Sequence, residues 1–367
     1  MSVVDLSLHG VVRVRLADPT PANLAGVLGD TGLERASYDE EPHVTVRFVE
    51  RLEVGVVELL GAEAGAAPEG YVHLPPPHWS GGRSLLPLSE VGGHCTVVCE
   101  HSVRRVPLLI EVLNLTAGVL GLLPLHGAAF VTRDGVGWVA AGWSKGGKTE
   151  TLLAVSGRGA RVVGDEWVYL RDGHALGSTH RMRLWDWQLA QLPETEARLP
   201  AAQRRRRRVV DLVTRMHTAA PRRVRPTLPY RALSMLMPTV AAQSGVYVEP
   251  ADVFPAGALL PGCAVDRLLL VLSTTDGRVR TDPVDPLEVA RRMAASLDYE
   301  RRDLTEALVR YRFAMPDARN PWLESVQERE AALLRAAFAG RPAWSLRHPY
   351  PVALQELAGA VEALAVG

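Results

Sequence analysis

Nine consecutive residues, Gly142 to Glu150, constrain this chain more than any other stretch; they read Gly-Trp-Ser-Lys-Gly-Gly-Lys-Thr-Glu. Gly142, Gly147, Lys148 and Thr149 occupy the fixed places of the pattern G-x-x-x-x-G-K-[ST]. That spacing does its work between a strand and a helix. The glycines let backbone N–H groups turn inward around an anion, and the helix N-terminus adds its partial positive charge. A lysine then reaches the β- and γ-phosphates of a nucleotide, and the hydroxyl sits where Mg²⁺ can bind. The flanks supply the context: Gly137 to Ala141 is a short apolar, strand-like run, and Thr149 to Ser156 reads as the opening of a helix. Trp143, Ser144, Lys145 and Gly146 fill the loop and Glu150 closes it, so the whole stretch is a candidate nucleotide site.

Lysine usage sharpens this. Of the 41 basic residues all but two are arginine, and the two lysines, Lys145 and Lys148, both lie in this loop. A compact ammonium suits phosphate as a point charge, whereas arginine offers a planar fork. The formal net charge is zero, so nothing global points to nucleic acid. A length of 367 residues allows two domains, or one large domain with an appendage, and 47% apolar content is ample for a core. Three cysteines, Cys95, Cys99 and Cys263, are too few for a disulfide framework and fit a reducing compartment. The cluster His94, Cys95, Cys99, His101 invites a metal reading. On a strand, however, Cys95 and His101 stand roughly 20 Å apart, so ordinary packing is expected. No signal-peptide pattern opens the chain. The most apolar run, Val106 to Leu125, is interrupted by Pro107, Glu111, Asn114, Gly118, Gly121 and Pro124. A buried helix is expected there rather than a membrane span, and a cytoplasmic protein with no membrane partner is the simplest account.

Residues 1–104 alternate short strand-like runs, such as Val12 to Leu16 and His43 to Val49, with turns. Thr20 and Pro21 have the character of a cap and first residue of a short helix, and the proline- and glycine-rich Pro68 to Arg83 reads as a loop. This is a small α+β module. In the domain over 105–367, Asp134-Gly135 between two apolar runs predicts a hairpin whose second strand enters the glycine loop. Ala160 to Gly164 is the next strand, and Val265 to Ser273 is a buried one. Amphipathic helices over Leu287 to Leu297, Leu304 to Phe313, Glu324 to Phe338 and Val352 to Ala365 predict a helical extension from about 286 to 367. The fold class expected is α/β with a mixed sheet. Between Arg198 and Arg231 lie eleven arginines, including the run Arg204, Arg205, Arg206, Arg207, Arg208. A solvated helix face, a flexible lid and a patch for an acidic substrate all fit that stretch, and Arg181 and Arg183 could join the patch.

Asp165 and Glu166 end the strand that follows the loop helix, 17 residues beyond Lys148. The interval is filled by that helix and a turn, so the acid strand is expected to run beside the loop strand and bring the pair to the phosphates. One carboxylate could hold Mg²⁺ with Thr149, and the other could take a proton from an attacking hydroxyl. His126, at the start of the first hairpin strand, is expected within reach of the acids.

Taken in order, His126-Gly127, Gly135-Val136-Gly137, Gly142-x-Ser144-x-x-Gly147-Lys148-Thr149-Glu150, Arg158-Gly159 and Val163-Gly164-Asp165-Glu166 resemble bacterial HPr serine kinase/phosphorylase over roughly residues 124–171. The resemblance implies a P-loop kinase core like that of phosphoenolpyruvate carboxykinase, using ATP and Mg²⁺ to phosphorylate a serine hydroxyl. It assigns Lys148 to the β/γ-phosphates, Thr149 to Mg²⁺ and Asp165 to the catalytic base. Glu166, standing where the family has a second Asp, would help the metal, and His126 would sit beside the base. The Arg-Gly signature that follows the acid pair in true HPr kinases is absent. The chain looks closer to HPr-kinase-like proteins of peptide natural-product (RiPP) pathways, some of which phosphorylate a serine of a precursor peptide. The expected acceptor is therefore a peptide or protein. A small-molecule kinase and a nucleotide-gated binding protein without turnover are the alternatives, and a homo-oligomer is compatible with either. No nucleic-acid recognition motif and no Asn-Lys-x-Asp guanine reader is found.

Overall fold

Period-two burial builds the first sheet. In Val12–Ala17 (VRVRLA) and Val44–Val49 (VTVRFV) the apolar residues at alternate positions are buried, while the arginines and Thr45 face outward. The computed structural model describes residues 2–75, 81–178, 180–221, 223, 227–242 and 245–365. Nine strands lie in the order Glu34–Arg35, Val3–Leu8, Val12–Ala17, Val44–Val49, Cys95–Glu100, Ser84–Leu86, Gly70–His73, Ala64–Ala67, Glu58–Leu59. Val44–Val49 runs parallel to both of its neighbours, and the other pairs in the sheet are antiparallel. The helix Pro21–Thr31 starts as its sequence predicts, with Thr20 and Asn23 forming a reciprocal capping box and Pro21 in the first turn. The expected loop over 68–83 instead contains the strand Gly70–His73; part of that stretch, 76–80, lies outside the described residues. Cys95 and Cys99 are buried on one strand, and burial pushes both thiols up to about 12.

The first core does not stop at residue 104. Val112 and Leu113 of helix Leu109–Val119, and Leu304, Leu308 and Tyr311 of helix Arg302–Ala314, belong to the same apolar cluster as Val14, Val46 and Phe48. The module is thus held to the rest of the chain by shared burial, each such side chain contributing about 1.5–3 kcal/mol.

The second sheet is mixed and carries the site. Its order is Gly262–Ala264, His174–Gly177, Trp167–Arg171, Leu123–Val131, Gly137–Ala141, Arg267–Ser273, Ala343–His348, Arg280–Pro283, with Arg161–Gly164 paired to the far half of Leu123–Val131. The Asp134-Gly135 hairpin forms with Phe130 opposite Trp138. Two expectations change here. The acid strand Arg161–Gly164 does not neighbour the loop strand Gly137–Ala141, because the hairpin places Leu123–Val131 between them; the loop strand's other neighbour is the parallel Arg267–Ser273. The segment from 286 onward is more than a helical extension, since Ala343–His348 enters the sheet between Arg280–Pro283 and Arg267–Ser273, parallel to the latter. Among the described residues no helix is long and apolar enough to cross a membrane.

Candidate functional site

Gly137–Ala141 and Arg161–Gly164 flank Leu123–Val131 and end two residues apart along it, Ala141 registered on Gly127 and Gly164 on Ala129. Asp165-Glu166 closes that gap, the Gly127 N–H donating to the carbonyl oxygen of Glu166. The segments that leave the two strands therefore meet across one residue of Leu123–Val131. The first strand leads into the glycine loop and the helix Lys148–Ser156; the second leads into Asp165-Glu166. The loop needs its glycines. A Cβ on Gly142 would stand 2.4 Å from the carbonyl oxygen of Val271, and one on Gly147 would stand 2.0 Å from Nε2 of His348. Gly147 also has φ of +105°, a left-handed backbone that a side chain resists. His348 is fully buried, with Nε2 2.9 Å from the carbonyl oxygen of Gly146 and Nδ1 2.7 Å from that of Pro349, and so braces the loop from below.

Lys148 is buried, and its Nζ donates to the carbonyl oxygens of Gly142 at 3.2 Å and Trp143 at 2.9 Å. Burial lowers its pKa against the pull of Glu166, Asp165, Glu300 and Glu150. Thr149 Oγ1 donates to Asp165 Oδ2 at 2.8 Å, which ties the start of the helix to the acid pair. Asp165 is buried; burial, and next the charge of Glu166, raise its carboxyl to about 7, with the Thr149 bond pulling the other way. Its Oδ1 is buried with no hydrogen-bond partner among the described residues. Glu166 has φ of +63°, a left-handed conformation rare outside glycine, at the point where the strand pairing lapses between Gly164 and Trp167. The kink turns its half-exposed side chain toward His126, whose Nε2 lies 3.3 Å from Glu166 Oε2.

The other ring nitrogen of His126, Nδ1, lies 2.7 Å from Glu300 Oε1, at the C-terminal end of the helix Pro286–Glu300. Burial and the Lys148 charge oppose protonation of His126, but the hydrogen bonds to the two carboxylates outweigh them and its pKa is raised. The same contact holds Glu166 below the usual carboxylate range against partial desolvation. Next to Glu300, Arg301 makes a buried ion pair with Glu330 at 2.7 Å, and Tyr299 packs on Trp143 of the loop with ring centroids 4.8 Å apart. Glu150, also buried, accepts from Gln188 Nε2 at 3.0 Å.

These side chains line a cleft of about 170 Å³ that contains His126, Lys148, Thr149, Asp165, Glu166 and Arg183. All the residues singled out as catalytic, nucleotide-binding or metal-binding thus lie in or next to one cleft. The arginines divide. Arg183 lines the cleft, its guanidinium 4.3 Å from the ring of Trp185. Arg181 is held away from it by the carbonyl oxygen of Gly29 and by Asp30. Arg204 to Arg208 lie on the helix Ala201–Thr218, where Arg204, Arg205 and Arg208 line a separate surface cleft and Arg207 bonds Asp186 and Glu196. Arg222 and Arg225 are outside the described residues. Glu300, His348 and Gln188 are the partners that sequence reasoning misses; no local motif marks any of them. Set against known proteins, the chain matches no protein-family model, and no curated protein matches it.

Proposed function

We propose that this protein is an ATP-dependent kinase that transfers the γ-phosphoryl group to a hydroxyl, on a P-loop core built from Gly142 to Glu150. The single observation that carries this reading is the 2.8 Å bond from Thr149 to Asp165 beside Lys148, which joins a candidate phosphate-binding loop to a carboxylate pair in one cleft. Loop amides and the N-terminus of the helix Lys148–Ser156 suit the phosphate chain, and Lys148 supplies its point charge once it releases the two carbonyl oxygens it now holds.

The residues present fit Mg²⁺. Thr149 Oγ1 and Asp165 Oδ2 adjoin, and Asp165 Oδ1 is buried without a hydrogen-bond partner among the described residues, the donor set of one hydroxyl and one carboxylate that this ion takes alongside phosphate oxygens. When bound, the ion would neutralise developing phosphate charge. The division of labour suggested by position alone is exchanged in this reading: Asp165 holds the metal, and Glu166 receives the acceptor's proton. Glu166 is half-exposed and oriented by His126, whereas Asp165 lies beneath it against Thr149. Geometry takes precedence over basicity here, and the loose transition state of phosphoryl transfer asks little of the base.

The test is transfer of label from γ-labelled ATP with Mg²⁺, alongside nucleotide affinity. Asp165→Asn should lose the Mg²⁺ dependence of nucleotide binding, and Glu166→Gln should keep it while losing transfer. A Glu166→Gln protein that transfers at the native rate would remove Glu166 from the reaction.

A further inference from the structure

The cleft over the glycine loop is not the largest cavity. A second one, of about 680 Å³, opens between the first sheet's helix Pro21–Thr31, the segment from Arg105 to Glu111, and the two-stranded ribbon of Met182–Leu184 with Val246–Val248. Among the described residues, two line both cavities: Glu166 and Arg183. Each is placed by its own element. Glu166 is turned outward by its left-handed backbone, and Arg183 stands opposite Tyr247 in the ribbon register, with its guanidinium over the rings of Trp185 and Tyr247. Met182, Leu184, Val246 and Val248, the alternate residues of the ribbon, are buried in the second core, so the ribbon is fixed and its other face is turned to the cavity.

We propose that this larger cavity is the acceptor site and takes an uncharged, extended peptide segment whose serine or threonine hydroxyl passes between Glu166 and Arg183. This rests on the kinase reading. A volume of about 680 Å³ is that of a small-ligand cleft. It admits a few residues of extended chain, a shape that a side chain fixed on a folded surface does not present. The ionisable groups on its walls nearly balance, three arginines (Arg105, Arg181, Arg183) against four carboxylates (Asp30, Glu111, Glu166, Asp303). Arg105 and Arg181 both pair with Asp30, at 3.2 and 3.4 Å, and Glu111 and Asp303 complete the charged lining. An acidic flank on the acceptor therefore gains nothing here. At the junction, the hydroxyl oxygen forms its bond to the γ-phosphorus as the bond from that phosphorus to the β–γ bridging oxygen breaks, its electron pair leaving on ADP. The hydroxyl proton goes to Glu166, and Arg183 faces the charge that spreads over the transferring group.

Three blocked octapeptides with one central serine, flanked by Ala/Gly, by Glu or by Lys, test this with γ-labelled ATP and Mg²⁺. The fourth probe is the Ala/Gly peptide's sequence built into a helix of a small folded domain. The neutral peptide should be labelled fastest and the folded host not at all. Arg105→Trp and Asp303→Trp, both at exposed rim positions, should each raise the neutral peptide's KM by about tenfold with nucleotide Kd within about twofold of native. Loss of all nucleotide binding in the native protein would overturn both this inference and the kinase reading. Intact nucleotide binding overturns the acceptor site alone if no peptide is labelled, if either charged peptide or the folded host is preferred, or if both tryptophan variants leave KM unchanged.

Discussion

Two charged regions dominate this sequence, and they fold in opposite ways. Around the glycine loop, His126, Lys148, Asp165 and Glu300 come from four separate parts of the chain, and the first three are buried. On the helix Ala201–Thr218, five successive arginines come from one element with no buried residue at all. The run is far more conspicuous to the eye, yet consecutive residues spread around a helix and cannot converge on one point. Buried charges that converge from distant parts of the chain cost free energy to hold apart from water, so a fold that keeps them points to a use for them. The run fits a solvated face.

The sharpest way to break this contrast is to neutralise each region in turn. Lys148→Ala should cut phosphoryl transfer by about 10³-fold or more, because it removes the point charge from the β/γ-phosphates. Replacing Arg204, Arg205 and Arg208 together by Gln should leave kcat and KM within about twofold, since the cleft they line is separate from the glycine loop. Initial rates with the peptide acceptor decide it. A large KM effect from the triple variant would restore the arginine run as a substrate patch.

Next in size is a stability effect at Asp165. Its pKa, raised from 3.8 to about 7, means the folded protein binds this proton more tightly than the unfolded chain does. Its contribution to stability is therefore greatest below pH 4, declines as pH rises toward 7, and is level above that. Asp165→Asn should remove the decline and stabilise the nucleotide-free protein at pH 8 by about 2–4 kcal/mol, while abolishing Mg²⁺-dependent transfer. Denaturant melts at pH 5 and pH 8 measure it; an equal change at both would mean that burial of the ionised carboxylate is not the cause.

Glu300 gives a smaller and more specific effect. With Glu166 it raises the pKa of His126, so the imidazolium form is lost as pH rises through that raised value. Because the imidazolium holds Glu166 in place at 3.3 Å, kcat should fall on the alkaline side as that form is lost. Glu300→Gln should lower the pKa, bring this fall to lower pH, and reduce kcat by about tenfold at pH 8 while leaving nucleotide Kd unchanged. An unmoved alkaline limb would show that Glu300 does no more than hold the helix end in place.

The legibility of the site in the sequence obeys the same contrast. The glycine loop, the acid pair and the hairpin are local patterns, and each forms in the predicted place. The neighbour of the acid strand is not local: it depends on where the hairpin's first strand lies, and Leu123–Val131 takes the place expected for the loop strand. Glu300 and His348 are 174 and 202 residues from the groups they contact, on a helix end and on a strand whose Ser345, Arg347 and His348 break any apolar alternation. Burial of His348 against Gly146 compensates locally for a polarity that argues against a strand. The separation of Arg183 from the arginine run is equally invisible in one dimension, since it depends on the ribbon that Met182–Leu184 makes with Val246–Val248.

Arg207 is where the contrast is least clean, and so gives the smallest but most discriminating effect. Its side chain is 13% exposed and bonds Asp186 at 2.6 Å and Glu196 at 2.8 Å. It thus links the long helix to the short helices Asp186–Leu189 and Pro193–Arg198. Both acids are partly exposed, at 29% and 44%, so solvent screening limits the pair of contacts to about 1 kcal/mol. Arg207→Gln should lower stability by that amount and Arg205→Gln by about 0.5 kcal/mol or less, with 1 M salt shrinking the difference. If the two variants melt alike, the run is uniform, and no one arginine in it anchors the helix. If Arg207→Gln alone also slows transfer, the anchor acts through Asp186 on Gln188 and Glu150, beside the loop, and the two regions are less separate than their burial implies.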